Sequence, residues 1–325
     1  MTIGTSLLLR PIVQVLGRNK LSILIYHRVH RQTDSIFPGE VDAQRFDAQL
    51  AWLTGLFNVL PLDEAIERLR DGTLPPRAAC ITFDDGYADN AEVALPILKR
   101  HNATATFFIS TGFLDGGRMW NDTIIESVRR APGNMLDLSS LGLGRHDISD
   151  PAARRRAIGA ILGSIKYLAH AERLEQVAAV ERNIGEPLPN DLMMRSEQVR
   201  LLADSGMTIG AHTVSHPILA RLPTAEARQE IASSRETLKA ITGRPITLFA
   251  YPNGKPTEDY LLEHVAMVRE LGFSGAVSTA WGAASMSDDF FQLPRFLPWD
   301  RTAMRFSLRL TSNLLRSAST LPRQI

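Results

Sequence analysis

Short runs of apolar and β-branched residues recur along the chain, and they constrain its fold more than any other feature. Each run has the length of a strand, is too short for a typical helix, and does not alternate between apolar and charged residues. Strands buried on both faces of a sheet have this composition. The predicted strands are Leu21 to Tyr26, Asn58 to Leu60, Ala79 to Phe83, Ala105 to Ile109, Met207 to Ala211, Ile246 to Ala250 and Gly275 to Ser278.

Segments with the apolar spacing of amphipathic helices lie between these runs. The predicted helices are one capped by Asp42, then Asp63 to Leu69, Ala91 to Arg100, Glu197 to Ala203 capped by Ser196, Ala225 to Ile241 and Thr257 to Leu271. Alternating strands and helices predict a parallel sheet whose outer side is covered by helices. The number of such units favours a closed α/β barrel over an open sheet.

The alternation breaks between Gly116 and Asn190, which divides the chain into provisional regions. This stretch has a loop-like passage at Gly142 and Gly144, followed by helical spacing from Pro151 to Glu181. We interpret residues 116–190 as a helical insertion on the barrel rim that acts as a lid or substrate-binding element. The remaining regions are an N-terminal extension over 1–20, the barrel over 21–300 and a basic tail over 301–325.

Charge and hydropathy exclude several classes of protein. A formal net charge of +1 argues against a dedicated nucleic-acid binder. The single cysteine, Cys80, excludes an internal disulfide and is interpreted as a small core residue. No basic leader precedes the apolar stretch from Ser6 to Leu9, and no segment has the roughly 20 apolar residues that would span a bilayer. We therefore expect a cytoplasmic protein.

The last 25 residues carry five arginines and no acidic residue, interspersed with apolar side chains. A basic helix or strand that packs on the core has this pattern. The alternative is peripheral contact with a membrane surface, as in amphipathic interfacial helices. The sequence makes no prediction of oligomeric state.

Two adjacent carboxylates, Asp84 and Asp85, follow the strand that ends at Phe83, and Gly86 follows them. Neighbouring carboxylates at a buried strand end repel one another unless a cation or a shared proton compensates. The pair therefore indicates a metal site or acid–base chemistry. The structural alternative is the cap of a following helix, for which aspartate is well suited.

Two histidines, His212 and His216, follow another predicted strand. At a spacing of four residues they can face one metal ion if the segment forms a helical turn. The carboxyl ends of parallel strands meet at one edge, where active sites of barrels form. One carboxylate and two imidazoles would make a three-ligand site with open positions for water and substrate. The alternative is a surface pair with hydrogen-bonding roles only.

The segments Ile81 to Gly86 and His212 to His216 resemble the first two motifs of the polysaccharide deacetylase (NodB homology) family of carbohydrate esterases. The resemblance extends over roughly residues 21–296 outside the insertion. It implies a distorted (β/α)7 barrel and metal-dependent removal of acetyl groups from an N-acetylated sugar or polysaccharide, with release of acetate. It further implies that Asp84 is the general base and that Asp85, His212 and His216 hold one divalent metal, expected to be zinc.

The third family motif corresponds to Tyr251, Pro252 and Asn253, followed by Gly254. Alanine stands at 250 where the family has arginine, and Asn253 stands where it has tyrosine. The resemblance implies a role for this segment in binding substrate and the oxyanion, through a backbone N–H near Asn253. The turn also closes a strand.

The C-terminal Leu-x-His of the family is absent, because no histidine follows His264. Tyr26-His27 resembles the arrangement in the poly-N-acetylglucosamine deacetylase branch, in which this motif lies at the N-terminus. His27 would then be the general acid; the alternative is a hydrogen-bonded histidine at a strand end. Arg295 resembles the family arginine that pairs with the base, although a surface arginine is the alternative.

Trp120 and Trp299 are candidate platforms for sugar rings, with packing at the core or rim as the alternative. Two other functions remain open. The absent third-motif arginine and C-terminal histidine would fit a sugar-binding barrel with impaired catalysis. A metal amidohydrolase that acts on an amide outside sugars would also fit.

Overall fold

The computed structural model describes residues 3–317, apart from the side chains of residues 3–8 and of His170. The strands are β1 Lys20–Tyr26, β2 Asn58–Val59, β3 Ala78–Phe83, β4 Thr106–Ile109, β5 Met135–Leu138, β6 Gly144–Asp147, β7 Thr208–Ala211, β8 Leu248–Ala250, β9 Gly275–Trp281, β10 Ala284–Ser285 and β11 Leu293–Arg295.

The helices are α1 Ile3–Leu16, α2 Ala43–Leu56, α3 Leu62–Arg70, α4 Leu95–Arg100, α5 Trp120–Arg130, α6 Pro151–Ile165, α7 His170–Ile184, α8 Ser196–Asp204, α9 Thr224–Thr242, α10 Leu262–Glu270 and α11 Ala303–Asn313. Local chemistry fixes several of their ends. The Asp42 carboxylate caps α2 by accepting from the Arg45 N–H at 2.8 Å, as the sequence predicts. Gly243 ends α9 in the left-handed conformation.

Parallel strands form the central barrel in the order β1, β3, β4, β7, β8, β9 and β11. The last strand returns to the first, because Phe296 accepts from the Ile25 N–H at 3.0 Å and donates to the Ile23 carbonyl at 2.7 Å. The short β10 pairs antiparallel with the beginning of β1, and β2 pairs with β3. The predicted distorted barrel of seven parallel strands is confirmed.

The apolar strands are buried on both faces, which explains why their sequences do not alternate. All six residues of β3 are buried. Its side chains divide between two core clusters: Ala79, Ile81 and Phe83 pack in one, and Ala78 and Cys80 in the other. Cys80 is a buried free thiol, as predicted.

Some predicted local structures are wrong. Helix α8 begins at Ser196 with Arg195 as its N-cap, because the Ser196 hydroxyl donates to Asp115 at 2.6 Å instead of capping. Helix α10 begins at Leu262 and not at Thr257, since Thr257 has a positive φ of 71° and lies in a turn. A π-helical turn over Asn90–Ala94 precedes α4, so the predicted helix is irregular at its start.

The segment 116–190 contains helices α5, α6 and α7 together with the antiparallel hairpin of β5 and β6. The prediction of a loop-like passage at Gly142 and Gly144 is therefore partly wrong, because strand β6 begins at Gly144. The segment has its own apolar cluster, which includes Ile124, Leu138, Ile161 and Val180. We propose that it is an inserted unit on the rim, and its contribution to the cleft is described below.

The C-terminal arginine-rich segment forms α11, whose Phe306 and Leu310 are fully buried. This helix packs against α1 and α2, and Phe306 contacts Trp52 with ring centroids 5.6 Å apart. Among residues 3–317, no helix is long and apolar enough to cross a bilayer.

Candidate active site

The two carboxylates at the end of β3 have different partners. The chain turns sharply there, with φ values of 78° at Asp85 and 92° at Gly86. A Cβ at position 86 would lie 2.9 Å from Cγ2 of Ile109, so both the backbone conformation and the space require glycine. This turn places Asp84 against Arg295 and Asp85 against the two histidines.

Arg295 holds Asp84 in a bidentate pair. Its two terminal nitrogens lie 2.7 Å from the two carboxylate oxygens, and its Nε donates to the Ser278 carbonyl at 2.8 Å. Both side chains are buried. Burial acts to raise the pKa of Asp84, but the charges of Arg295 and His212 lower it below its ordinary value. Asp84 is therefore ionised at neutral pH.

Asp85, His212 and His216 form a candidate metal centre. The Nε2 atoms of both histidines lie 3.4 Å from Oδ1 of Asp85, and the three ligand atoms lie within 4.8 Å of one another. The Ala250 carbonyl accepts from Nδ1 of His212 at 2.7 Å. In the neutral imidazole, that hydrogen bond leaves Nε2 of His212 unprotonated and available to a metal, which is the usual arrangement of histidine ligands.

The pKa values of Asp85 and His216 fit metal binding. Burial lowers the pKa of His216 to about 4, so its imidazole is neutral, which is the form that binds a metal. Burial raises the pKa of Asp85, but its hydrogen bond to His212 and the charge of His216 lower it below the ordinary value. Burial acts to lower the pKa of His212, but the carboxylates Asp85 and Asp84 raise it above its ordinary value, so a metal would bind there by displacing a proton. The set can thus present one carboxylate and two imidazoles to a cation.

The backbone between the two histidines is not the helical turn that the spacing predicts. Thr213 and His216 have φ values of 65° and 52°, and the segment is an irregular loop. Glu230 of α9 holds this loop, because its carboxylate accepts from the Val214 and Ser215 N–H groups and from the Ser215 hydroxyl, each at 2.8 Å. The loop brings the two imidazoles together, with ring centroids 4.8 Å apart.

His27 follows β1 directly, and its exposed side chain lines the same cleft as Asp84 and Asp85. Its backbone carbonyl accepts from Nδ2 of Asn90, in the π-helical turn, at 2.8 Å. No hydrogen bond of the His27 ring is formed within the part of the chain that the structure describes. The imidazole is therefore available to a substrate.

The segment 251–254 contributes its backbone more than its side chains. Tyr251 is fully buried, stacks on Tyr260 at a centroid distance of 3.9 Å and donates its hydroxyl to the Phe291 carbonyl. The Tyr251 ring is therefore part of the core and does not line the cleft, so any role of this residue toward substrate would be through its position in the turn. Pro252 is buried and does not line the cleft.

Asn253 does line the cleft, at a φ of 58°. Its N–H has no acceptor among the residues that the structure describes. Thr279 fixes the turn, because its hydroxyl donates to the Asn253 carbonyl and its N–H donates to the Gly254 carbonyl, both at 2.9 Å. The segment thus offers a free backbone donor on a rigid turn.

The catalytic cleft has a volume of about 290 Å³. Its floor comprises the strand-end residues described above, together with Thr279. Segment 116–190 supplies one wall, which consists of Met119, Trp120, Asn121, Leu162 and Lys166. The sequence pointed to Trp120 and to the insertion as a whole. It gave no signal for Leu162, Lys166 or Thr279, because a lone side chain on a helix or strand has no distinctive spacing.

A second cleft of about 280 Å³ adjoins the first and shares His27 with it. Trp299 lines this second cleft and is about half exposed. The guanidinium of Arg309 lies 3.8 Å from the Trp299 ring centroid and is paired with the buried Asp300. One side of the indole is thus supported by a fixed cation, which leaves the exposed side for a ligand.

A family model described as polysaccharide deacetylase matches residues 71–134 and 166–275, more than half of the chain. The chain belongs to the polysaccharide deacetylase family. The resemblance identified from the two motifs, and the expectation of an enzyme of this class, are confirmed. The unmatched residues between the two parts of the match lie within the inserted segment and include β5, β6 and α6.

Relatives of this polysaccharide deacetylase agree with the assignment. The YxkH protein of Bacillus subtilis (strain 168) is 22% identical over 278 residues, which cover 85% of this chain and 70% of that protein. Poly-beta-1,6-N-acetyl-D-glucosamine N-deacetylase of Staphylococcus aureus is 32% identical over 107 residues, 29% of this chain and 37% of that enzyme. The second similarity is therefore local.

Two solved structures share the fold. The deacetylase PplD of Streptococcus pyogenes has a TM-score of 0.59 at 19% identity, with 90% of this chain and 98% of that chain covered. IcaB of Ammonifex degensii has a TM-score of 0.56 at 20% identity, with 89% and 97% covered. At such identities these structures support the barrel assignment.

Proposed function

We propose that this polysaccharide deacetylase hydrolyses the acetamido group of an N-acetylated glycan and releases acetate. One observation carries the proposal: a single cleft brings together an ionised carboxylate, a three-ligand metal centre and an unpartnered imidazole. Each of these groups has a separate task in amide hydrolysis. The local similarity to the Staphylococcus aureus enzyme, whose substrate is poly-N-acetylglucosamine, supports a glycan substrate.

The residues Asp85, His212 and His216 would hold the metal. Two nitrogen ligands and one oxygen ligand suit Zn²⁺, which leaves open coordination positions at catalytic sites. A bound divalent cation supplies Lewis acidity, which polarises a carbonyl and lowers the pKa of water. His216 reinforces the fit, because its neutral ring is the ligating form and its Nε2 faces Asp85.

Asp84 is the proposed general base. It lines the cleft beside the metal ligands, and Arg295 keeps it ionised and oriented. It would accept a proton from the water molecule that adds to the acetamido carbonyl. The free N–H of Asn253 would donate a hydrogen bond to the oxygen that becomes negatively charged in this addition.

His27 is the proposed general acid. When the C–N bond breaks, the nitrogen of the sugar must gain a proton to leave as an amine, and the imidazolium of His27 would donate it. Its exposed ring at the end of the neighbouring strand β1 suits this role, since it lines the cleft and has no competing hydrogen bond among the described residues. Proton transfer from Asp84 to His27 between turnovers restores both groups.

The second cleft supports an oligomeric or polymeric substrate. Since it shares His27 with the catalytic cleft, a sugar bound there would neighbour the sugar that loses its acetyl group. The exposed face of Trp299 would stack on the apolar face of that neighbouring ring. Glu40 and Arg28 in the same cleft offer partners for hydroxyl groups.

The test is an assay of acetate release from N-acetylglucosamine oligomers, with and without a chelator. We expect acetate from the untreated protein, loss of release after chelation, and recovery when Zn²⁺ is added. Glycan binding without acetate release would favour a non-catalytic sugar-binding barrel. Metal-dependent hydrolysis of non-sugar amides alone would favour the other alternative.

A further inference from the structure

Charge is unevenly distributed along this chain. The net charge is +1, yet residues 1–20 and 301–325 together contain eight Lys and Arg residues and no Asp or Glu. The intervening residues 21–300 therefore have a net charge of −7. In the fold, the helices of these two terminal segments, α1 and α11, pack against one another. The terminal segments that contain α1 and α11 are thus basic, whereas the intervening chain is acidic.

These two helices also expose an apolar stripe. Met304 and Leu308 of α11 are four residues apart, which places them in one row of the helix, and Leu315 lies in the turn just beyond it. They are 60%, 51% and 69% exposed. On α1, Ile12 and Val15 are also exposed. Large apolar side chains grouped in this way mark an interaction surface.

This stripe is not needed to hold α11 on the barrel. The opposite face of the helix is buried through Phe306, Leu310 and Leu314. Arg305, next to the stripe, is exposed and has no carboxylate within ion-pair distance among residues 3–317. The helix therefore has one face that packs on the core and a second, apolar and cationic face without a partner in the described structure.

We propose that the outer faces of α1 and α11 dock on the surface of an anionic lipid bilayer. An anionic bilayer supplies negative charge for the arginines and an apolar layer into which the stripe can insert. A second copy of the chain is disfavoured because two surfaces with the same concentration of arginine would repel one another. A nucleic acid would pair with the arginines but leave the apolar stripe in water.

The position of this surface gives docking a consequence. Arg309 of α11 supports Trp299 in the second cleft, so the docking surface adjoins the proposed glycan-binding region. A docked molecule would hold its cleft close to the bilayer. The docking proposal itself does not depend on the proposed activity, since α1 and α11 lie outside the residues that match the family.

The test is sedimentation of the full chain with vesicles of phosphatidylcholine alone or mixed with an equal share of phosphatidylglycerol. We expect binding to the anionic vesicles that weakens as salt is raised to about 0.5 M, because screening shortens the range of the arginine charges. Leu308→Glu should lower the partition coefficient about tenfold or more, since it places a charge where an apolar group would be buried. Arg305→Glu should lower it about fivefold or more.

Two matched variants control for surface changes elsewhere. Leu201 of α8 is 49% exposed, so Leu201→Glu makes the same change at the same exposure outside the stripe. Arg155→Glu makes the same charge reversal on exposed α6. Both should bind vesicles as the unmodified chain does, and a thermal melt establishes that all variants fold.

Three results would overturn docking on anionic lipid. The first is equal sedimentation with neutral and anionic vesicles, which includes no sedimentation with either. The second is an equal loss of vesicle binding in the α11 variants and in their controls. The third is a dimer that Leu308→Glu dissociates while vesicle binding is absent, which would assign the stripe to self-association. Acetate release is measured in a separate assay. Vesicle binding can therefore be interpreted even if the protein releases no acetate.

Discussion

Both carboxylate oxygens of Asp84 lie 2.7 Å from separate guanidinium nitrogens of Arg295, and each residue is only 2% exposed. Arg295 also donates to the Ser278 carbonyl, so its orientation is fixed from a neighbouring strand. The pair spans the barrel from β11 to β3 and keeps the buried Asp84 carboxylate ionised and apart from the candidate metal ligands.

Removing the arginine should therefore destabilise the fold. Arg295→Met leaves the buried Asp84 without its countercharge, and we expect the free energy of unfolding to fall by about 3–5 kcal/mol in urea titrations. The double variant Asp84→Asn, Arg295→Met should recover part of this loss, because no uncompensated charge remains. A loss below about 1 kcal/mol for Arg295→Met would contradict a buried and coupled pair.

His27→Ala should lower kcat for acetate release by about two to three orders of magnitude while leaving the metal content unchanged. The reason is that the variant removes the proton donor for the amine but none of the metal ligands. His101→Ala is the matched control, since His101 pairs with Asp47 and lines neither cleft. Similar rates for the two variants would remove His27 from the mechanism.

Trp299→Ala should lower kcat/KM for an N-acetylglucosamine oligomer about tenfold and leave the rate with the monosaccharide nearly unchanged. A sugar in the second cleft would lose its stacking surface, whereas the catalytic cleft would be intact. Trp299→Phe should retain most of the activity with oligomers. Leu201→Ala serves as control because Leu201 is similarly exposed and lines neither cleft. Equal losses on monosaccharide and oligomer would argue against the second subsite.

Asp122 should make stability depend on pH. Burial raises the pKa of Asp122 to about 7, and its Oδ1 accepts from the Tyr87 hydroxyl at 3.2 Å. Between about pH 4 and 7 the folded protein retains this proton and the unfolded chain has lost it, so the free energy of unfolding falls as pH rises. We expect Asp122→Asn to remove a decrease of a few kcal/mol across that window.

Denaturant titrations at several pH values measure this difference. Asp191→Asn, at an exposed aspartate, should keep the profile of the unmodified protein. A profile for Asp122→Asn that is parallel to that of the unmodified protein would show that Asp122 does not titrate in this window.

The sequence was sufficient for the barrel and for the grouping of its main site residues. Strands such as β1 and β3 are buried on both faces, so their composition identifies them without tertiary information. Parallel strands place their carboxyl ends at one edge, which is why His27, Asp84 and His212 could be grouped from the sequence. Their grouping depends on topology alone.

Features that depend on tertiary contacts could not be predicted from the sequence. The loop at 213–216 adopts left-handed conformations because Glu230, on a different element, satisfies its N–H groups. The burial of Tyr251 depends on the distant partners Tyr260 and Phe291. Lys166 lines the cleft only because segment 116–190 packs beside the strand-end residues that form the rest of the cleft.

The central claim is a division of labour between two adjacent carboxylates, with Asp85 as a metal ligand and Asp84 as the base. Its most direct test measures metal content and acetate release in parallel for Asp84→Asn and Asp85→Asn. We predict that Asp84→Asn retains its metal and loses about two to four orders of magnitude in turnover, whereas Asp85→Asn loses both. Near-normal acetate release by metal-loaded Asp84→Asn would contradict the account.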